Sequence, residues 1–459
     1  MNAKIDQKTQ IILYKDPIWK GLLYLSFPVF LVNVLKTLHD VVDGIFLGQV
    51  KGAEIATSMQ SAVALTWPIF FIFISFGMGL SVAGNALIGQ YVGKGDYVSA
   101  KKYSNNTVYI ALFLGAIFAL LAFILAPYIL TLMGAQGSDL EYAITYLRIR
   151  SFELPILFLI FAFEAVRRAT GDTTTPVIVS AVGIILNIIL TPILVLVLEM
   201  GVTGAALSTV IAHVAILPAV IYFLLRSKKS ITVNFSIKQL NKTIIKDIFD
   251  IGIPASTGQS IQAVGFVILN SLIYAYGTDV SAAFFIGNRI SSLVMFPVSA
   301  ISSIVAIYIA QNVGAENIKR AKRSVREGAI LSVIMMALGI SLLLPFSASI
   351  VKLFSHDSDT IQHAITYVFY IGIGLPLMAL FQNYLSAFQG SGETKKSFVL
   401  AIARLWVFRL PMILLANKYT DLGPMGIWYA MLASNVLAAF LGAYLYSKVK
   451  FLPKTRKVV

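Results

Sequence analysis

Ile110-Ala-Leu-Phe-Leu-Gly-Ala-Ile-Phe-Ala-Leu-Leu-Ala-Phe-Ile-Leu-Ala-Pro-Tyr-Ile-Leu130 contains no charged side chain and is apolar on every face. At a helical rise of 1.5 Å per residue this run is about 30 Å long, the thickness of a bilayer's hydrocarbon core. Period-two alternation does not dominate the chain, so the spanning elements are read as helices rather than barrel strands. Similar runs recur near residues 20–47, 54–83, 104–133, 141–166, 176–198 and 203–225, and again near 247–276, 280–309, 327–351, 362–389, 397–416 and 424–446. Composition agrees with this reading. The 459 residues are 58% hydrophobic and 12% charged, against about 25% charge in a soluble domain. That leaves too little polar surface to hold the chain in water. The sequence therefore predicts an all-α integral membrane protein of twelve transmembrane helices and excludes most soluble enzymes. Zero cysteines remove disulfides, thiolate catalysis and Cys-ligated metals, and four scattered histidines predict no metal centre.

A net charge of +15 would suggest nucleic acid in a soluble protein. Here the basic residues report topology instead. With connections assigned alternately, one side of the membrane collects 27 of the 36 Lys and Arg, including Lys94, Lys101 and Lys102, Arg167 and Arg168, the runs from Arg226 to Lys246 and from Lys319 to Arg326, and the tail from Lys448. The other side has Lys51, Lys352 and Lys418 beside acidic loops such as Asp139/Glu141 and Asp357/Asp359. By the positive-inside rule both termini are cytoplasmic in a multi-pass protein of the cell's cytoplasmic (inner) membrane, with membrane lipids and no nucleic acid as partners. The first span lacks a small-residue cleavage site and is read as a retained helix.

The chain also repeats itself. Gln90-Tyr-Val-Gly93 returns as Gln311-Asn-Val-Gly314, Ala100-Lys-Lys102 as Ala321-Lys-Arg323, Leu154-Pro155 as Leu375-Pro376, and Gly171-Asp-Thr173 as Gly392-Glu-Thr394, each 221 residues later. Pro28 and Pro254, early in the first span of each half, are 226 apart. Six spans per half is an even number, so both halves enter from the same side and the repeat is parallel. The expected organisation is an N-terminal lobe over 1–225, a basic cytoplasmic interlobe linker over 226–246, a C-terminal lobe over 247–447 and a basic tail over 448–459. Two six-helix lobes are what alternating access needs, and a complete pair in one chain can work as a monomer. No G-x-x-x-x-G-K-S/T loop is present to cradle nucleotide phosphates, so uphill transport would draw on an ion gradient or a separate subunit.

The first span holds the densest set of ionisable groups at membrane depth: Lys36, His39, Asp40 and Asp43, preceded by Asn33. At 100° per residue the four fall within an arc of about 100° on one helix face. Charges at the bilayer centre cost about 2.5–3.5 kcal/mol and commonly mark ion or proton paths. Alternatively, Lys36 and Asp40 neutralise each other one turn apart, and charge alone does not rank Asp40 against Asp43. In the second half Arg289, Arg404 and Arg409 lie in or near spans with no acid close in sequence. They suit an anion or a lipid headgroup, or they snorkel to the interface; Arg409, beside Pro411, reads as snorkelling and Arg289 as the cleft candidate. His213 reads as structural. The 30 Phe, 20 Tyr and 12 Met would be mostly packing or lipid-facing, though such residues also suit promiscuous apolar pockets. Pro28 is a candidate hinge within the first span.

These motifs resemble those of the multidrug and toxic compound extrusion (MATE) transporters. The likeness rests on His39-Asp-Val-Val-Asp-Gly-Ile-Phe-Leu-Gly48, the Gln-x-x-Gly loops of each half, Gly171-Asp-Thr-Thr-Thr-Pro176, and Gly201-Val-Thr-Gly-Ala-Ala-Leu207 with its counterpart around Gly426. It covers residues 15 to 447 and is strongest for the DinF-like branch. The resemblance implies two pseudo-symmetric six-helix bundles in a V, forming an antiporter that exports amphipathic, often cationic drugs against inward H⁺ or Na⁺. It implies no enzyme activity and no cofactor beyond the coupling ion. By the same resemblance Asp43 matches the family's first-helix acid, and Tyr146, Asn187 and Ser208 match its polar partners. Thr191 stands where many DinF-like relatives have a second aspartate, which leaves Glu153, Asp40 and Glu164 as other sources of negative charge. Gln259 and Gln262 stand in the second half's first span, where other branches carry a glutamate, so coupling is expected in the N-terminal lobe. With one acid fewer, H⁺ is favoured over Na⁺. His39 could share that proton, but an ordinary hydrogen-bonded helix position is the favoured reading for it.

Two other classes compete with transport of drugs. A flippase of lipid-linked saccharide precursors could share the architecture, with the arginines meeting phosphate. An intramembrane enzyme is disfavoured because no H-E-x-x-H, G-x-S-x-G or Gly-x-Gly-Asp motif occurs.

Overall fold

The computed structural model describes residues 7–50, 53–226, 230–234, 240–355 and 357–455; the side chains of residues 7, 39–44 and 53 lie outside the description. The first half begins with a short helix α1 (Gln7–Tyr14), followed by α2 (Ile18–Gly48), α3 (Ala53–Lys94), α4 (Tyr97–Leu132), α5 (Gly137–Ser151), α6 (Leu154–Ala169), α7 (Thr174–Pro192) and α8 (Gly201–Arg226). The second contains α9 (Lys242–Tyr274), α10 (Thr278–Gly314), α11 (Ile318–Leu343), the short α12 (Ser347–Lys352), α13 (Ser358–Gly390), α14 (Thr394–Ile402), α15 (Leu410–Tyr419) and α16 (Pro424–Ser447). π-helical segments extend α7 over Ile193–Val197 and join α14 to α15 over Ala403–Arg409. No strand occurs among the described residues.

Ten of the described helical stretches are long and apolar enough to cross a membrane. The two remaining expected spans correspond to the α5–α6 pair and to α9, both richer in polar groups. Near 141–166 the expected single span is two helices. The Phe152 and Glu153 amides bond the Ile149 and Arg150 carbonyls at 3.2 and 3.0 Å, a tightened turn. Pro155 then opens α6. Proline supplies no amide and crowds the preceding turn, so a break there removes both conflicts. In the second half the matching Pro376 instead sits inside the continuous α13.

The repeat reaches down to the backbone. The turn after α3 has Gly95 at φ +78°, and the turn after α10 has Glu316 at φ +59°, 221 residues on. Each closes with an amide reaching back five residues, Asp96 to the Tyr91 carbonyl at 2.9 Å and Asn317 to the Asn312 carbonyl at 2.8 Å. This left-handed stop satisfies carbonyls that the ending helix would leave unpaired. Asp96 and Asn317 then cap the next helices, accepting from the Ser99 and Arg320 amides at 3.0 and 3.2 Å.

By internal contacts the chain divides into two compact units, one of Met1–Gln10, Leu31–Ser256 and Thr455–Val459, the other of Ile11–Phe30 and Thr257–Lys454. The first turns of α2 thus group with the second unit, and those of α9 with the first. Lipid tails are as apolar as leucine, so such units cohere by close packing and polar bonds rather than by escape from water. In the first unit Tyr91 and Tyr103 pack with ring centroids 4.7 Å apart, and the buried Tyr103 hydroxyl donates to Asp247 at 2.7 Å. The second unit buries Phe284, Tyr367 and Trp428 as one aromatic group, with the Tyr367 and Trp428 rings 4.7 Å apart.

Candidate functional site

Four neutral polar side chains meet between α7 and α8. Asn187 and Thr191 are one turn apart and share a face. Ser208 and Thr209 come from α8. Asn187 Nδ2 donates to Ser208 Oγ at 3.3 Å and to Thr209 Oγ1 at 3.1 Å. Thr191 Oγ1 lies 3.2 Å from Asn187 Oδ1 and 3.0 Å from Ser208 Oγ. All four side chains are buried. The close approach of the helices depends on Gly204, where a Cβ would come within 2.7 Å of the Leu194 carbonyl group in the π-helical segment. The structure therefore brings together three of the residues selected from sequence and adds Thr209, the neighbour of Ser208. These four described side chains carry no formal charge: by themselves they can solvate an ion or a water.

A second constellation surrounds the break between α5 and α6. Tyr146 packs against the apolar cluster of Met59, Val195 and Ala205, and its hydroxyl accepts from Arg150 Nη1 at 3.0 Å. The Arg150 guanidinium also lies 4.5 Å from the Phe70 ring centroid. Glu153, 1% exposed, places one carboxylate oxygen 2.5 Å from Arg150 Nε and the other 3.0 Å from His213 Nδ1. Glu164, on α6, is 3.1 Å from Arg168 and 3.5 Å from the Ser180 hydroxyl. Both glutamates thus already face basic partners. Arg150 was missed in the sequence; its signal was the three-residue spacing to Glu153.

Asp40, Asp43 and His39 belong to α2, but their side chains lie outside the described residues. Lys36 is exposed, while Asn33 and Pro28 are half-buried in the same helix. Gln259 and Gln262 are half-buried in α9, and Arg289 is exposed on α10. Arg409 corrects the expectation of snorkelling. It is buried and donates to Ser434 Oγ at 3.0 Å and Asn435 Oδ1 at 2.9 Å, both on α16. Proximity to Pro411 suggested a helix end, whereas the π-helical segment continues directly into α15. The second unit also has a cavity of about 330 Å³ between α9 and α10, bordered by Asn270, Tyr274, Ser281, Phe284 and Phe285. None of these residues was selected from sequence.

Outside the spans, the loop between α6 and α7 is fixed by Asp172. It pairs with Arg167, lies 3.2 Å from Lys8 Nζ and accepts from the Thr175 amide at 3.2 Å. Burial pushes its carboxyl up, but the Thr175 hydrogen bonds and the Arg167 and Lys8 charges outweigh that and hold it below the usual aspartate value.

The sequence pattern of the MatE family matches residues 28–193 and 254–415, one stretch per half, beginning at Pro28 and Pro254. The chain belongs to the MatE family. It is 26% identical over 451 residues to the "Probable multidrug resistance protein YoeA" of Bacillus subtilis (strain 168), covering 97% of this chain and 96% of that protein. It is 29% identical over 439 residues to the "Multidrug export protein MepA" of Staphylococcus haemolyticus (strain JCSC1435), covering 94% of each. Its fold is similar to that of a solved structure described as "Outward-facing conformation of a multidrug resistance MATE family transporter of the MOP superfamily", with a TM-score of 0.90, 24% identity and 98% of each chain covered. This MATE chain is thus a membrane-embedded, multi-span transporter and not an enzyme.

Proposed function

We propose that this MATE protein is a cation-coupled antiporter of the cytoplasmic membrane, with both termini cytoplasmic, and that it exports amphipathic organic compounds, cationic ones foremost, by alternating access. One chain forms the whole pathway. The coupling ion is H⁺, ahead of Na⁺, and the coupling acids are Asp43 and Asp40 in the first half, as in the DinF-like branch. One observation carries this reading: the described side chains of Asn187, Thr191, Ser208 and Thr209 are all neutral, while Glu153 and Glu164 are engaged by Arg150, His213 and Arg168. A bound Na⁺ needs several oxygens and compensating charge. A proton needs a single titratable carboxylate reached by water, whose pKa burial raises. Pro28, by freeing a carbonyl inside α2, lets that helix bend when its acid is neutralised.

The test is transport of a fluorescent organic cation in liposomes holding the purified protein, under imposed pH or Na⁺ gradients, with wild type beside Asp43→Asn. The expected result is transport driven by the pH gradient and lost in the variant. Transport that persists in Asp43→Asn, or that follows only the Na⁺ gradient, overturns the proton-coupled reading.

A further inference from the structure

Two guanidinium groups of the second unit are buried without a carboxylate. Arg404 and Arg409 are 5% and 2% exposed, and both belong to the π-helical segment Ala403–Arg409 inside the apolar stretch Thr394–Tyr419. Arg404 Nη1 is 2.9 Å from the Met378 sulfur, its guanidinium is 4.5 Å from the Phe381 ring centroid, and its Nε has no hydrogen-bond partner among the described residues. Arg409 has the Ser434 hydroxyl and the Asn435 carboxamide oxygen. Among the described residues no Asp or Glu lies within ion-pair distance of either arginine.

Arginine does not shed its proton in a protein, so both groups remain charged. Removing such an ion from water is expensive, and a thioether, a ring and two neutral acceptors return only part of the loss. The helix geometry makes the two a pair. Five residues along an α-helix separate side chains by about 140°. The wider π turn, bonded from i to i+5, brings positions five apart close to one face.

The repeat indicates where the missing charge would stand. Glu153 precedes Leu154-Pro155 in the first half; Gly374 precedes Leu375-Pro376 in the second. A Cβ at Gly374 would lie 3.2 Å from Asn435 Nδ2, in the same carboxamide that accepts from Arg409. Where the first half has a carboxylate the second has a hydrogen atom, beside the amide that holds the arginine.

We propose that Arg404 and Arg409 form a binding site for an oxyanion carried on an apolar body, a carboxylate or a phosphate ester whose tail lies against Met378 and Phe381. Both side chains are covered in this structure, so the oxyanion enters as the π-helical segment moves from α16, and it takes over the hydrogen bonds now accepted by Ser434 and Asn435. Charged acceptors make shorter and stronger bonds to guanidinium than neutral ones, which drives the exchange. This site extends the cargo or lipid contacts of the transporter beyond cations, and it does not depend on Asp43.

The full-length protein in phosphatidylcholine nanodiscs is titrated with radiolabelled decanoate, corrected for empty nanodiscs, with decanol as uncharged competitor. The expected result is saturable decanoate binding that decanol does not displace, weakened about tenfold or more by Arg404→Gln and less by Arg404→Lys. Asn435→Asp places a carboxylate on Arg409 in nearly the same volume and keeps both arginines. It should abolish decanoate binding, and it remains informative if a glutamine variant fails to fold. Unchanged binding in folded Arg404→Gln and Asn435→Asp, no saturable binding in wild type, or equal displacement by decanol overturns the proposal and leaves cation-coupled export untouched. Nanodiscs with added phosphatidylglycerol separate the two sources. Loss of decanoate binding there identifies a lipid headgroup as the occupant, and retention identifies the acidic end of a cargo molecule.

Discussion

In the first unit Glu153 faces Arg150 and His213, Glu164 faces Arg168, and Asp172 faces Arg167 and Lys8, whereas in the second unit Arg404 and Arg409 face a sulfur, a ring, a hydroxyl and an amide. The halves nevertheless share the left-handed helix stop and the cap that follow α3 in one and α10 in the other. The backbone of the repeat and its charges have therefore diverged to different extents. Stops and caps are local: a left-handed residue and a side-chain oxygen satisfy the same orphan amides and carbonyls wherever the chain turns. Buried charge is not local, since its energy depends on what three or four helices present to it.

The largest effect should come from unpairing the first unit. Glu153→Gln leaves Arg150 without its carboxylate and should cost about 3–5 kcal/mol, read as a lowered thermal midpoint in a fixed detergent. Adding Arg150→Gln should restore part of the loss, because the double variant buries no lone ion. A shift in Glu153→Gln within about 0.5 kcal/mol of zero would mean that the pair is screened, and the contrast with Arg404 and Arg409 would lose its energetic basis.

Asp172→Asn is the next step down, at about 2 kcal/mol for losing hydrogen bonds to a charged group. Its pH dependence sharpens the comparison. The folded carboxyl titrates below the ordinary value of 3.8, so on acidification the unfolded chain takes up the proton first. The stabilisation is therefore complete above about pH 4 and is lost as pH falls through the lower folded value. Thermal midpoints of wild type and Asp172→Asn should differ most near neutral pH and converge in stronger acid. A gap that is unchanged in strong acid would show that the loop is held by something other than the ionised carboxylate.

Helix positions and the duplication were legible in the sequence, because apolar length and fixed offsets are local signals; Asn187, Thr191 and Ser208 were selected by the family resemblance, and spacing accounts only for why two of them can meet. Asn187 and Thr191 share a face whatever surrounds them, and Ser208 lies on the next helix. The break before Leu154-Pro155 was not legible, since Leu375-Pro376 is the same dipeptide inside an unbroken helix. What distinguishes them is a tertiary fact: Glu153 is drawn between Arg150 and His213, while Gly374 has no side chain to be drawn anywhere. The burial of Arg409 was hidden for a related reason. A π turn changes which residues share a face, and no period in the sequence announces it.

The smallest prediction isolates the shared scaffold from the charges. Gly95 and Glu316 occupy the same left-handed turn, but only glycine reaches that region without crowding its own Cβ against the following carbonyl, a penalty of about 1–2 kcal/mol for other residues. A Cβ at Gly95 would meet nothing within 4 Å, so Gly95→Ala reports backbone strain alone and should lower stability by about 1 kcal/mol. Glu316 is exposed, and Glu316→Gly should raise stability by somewhat less than that, because relief of strain is partly offset by the greater freedom of glycine in the unfolded chain. Opposite signs in thermal midpoints measured side by side would show that the two turns are one device with different residues installed. A loss in both variants would instead mean that the Glu316 side chain contributes where it stands, and the equivalence of the turns would hold for geometry but not for energy.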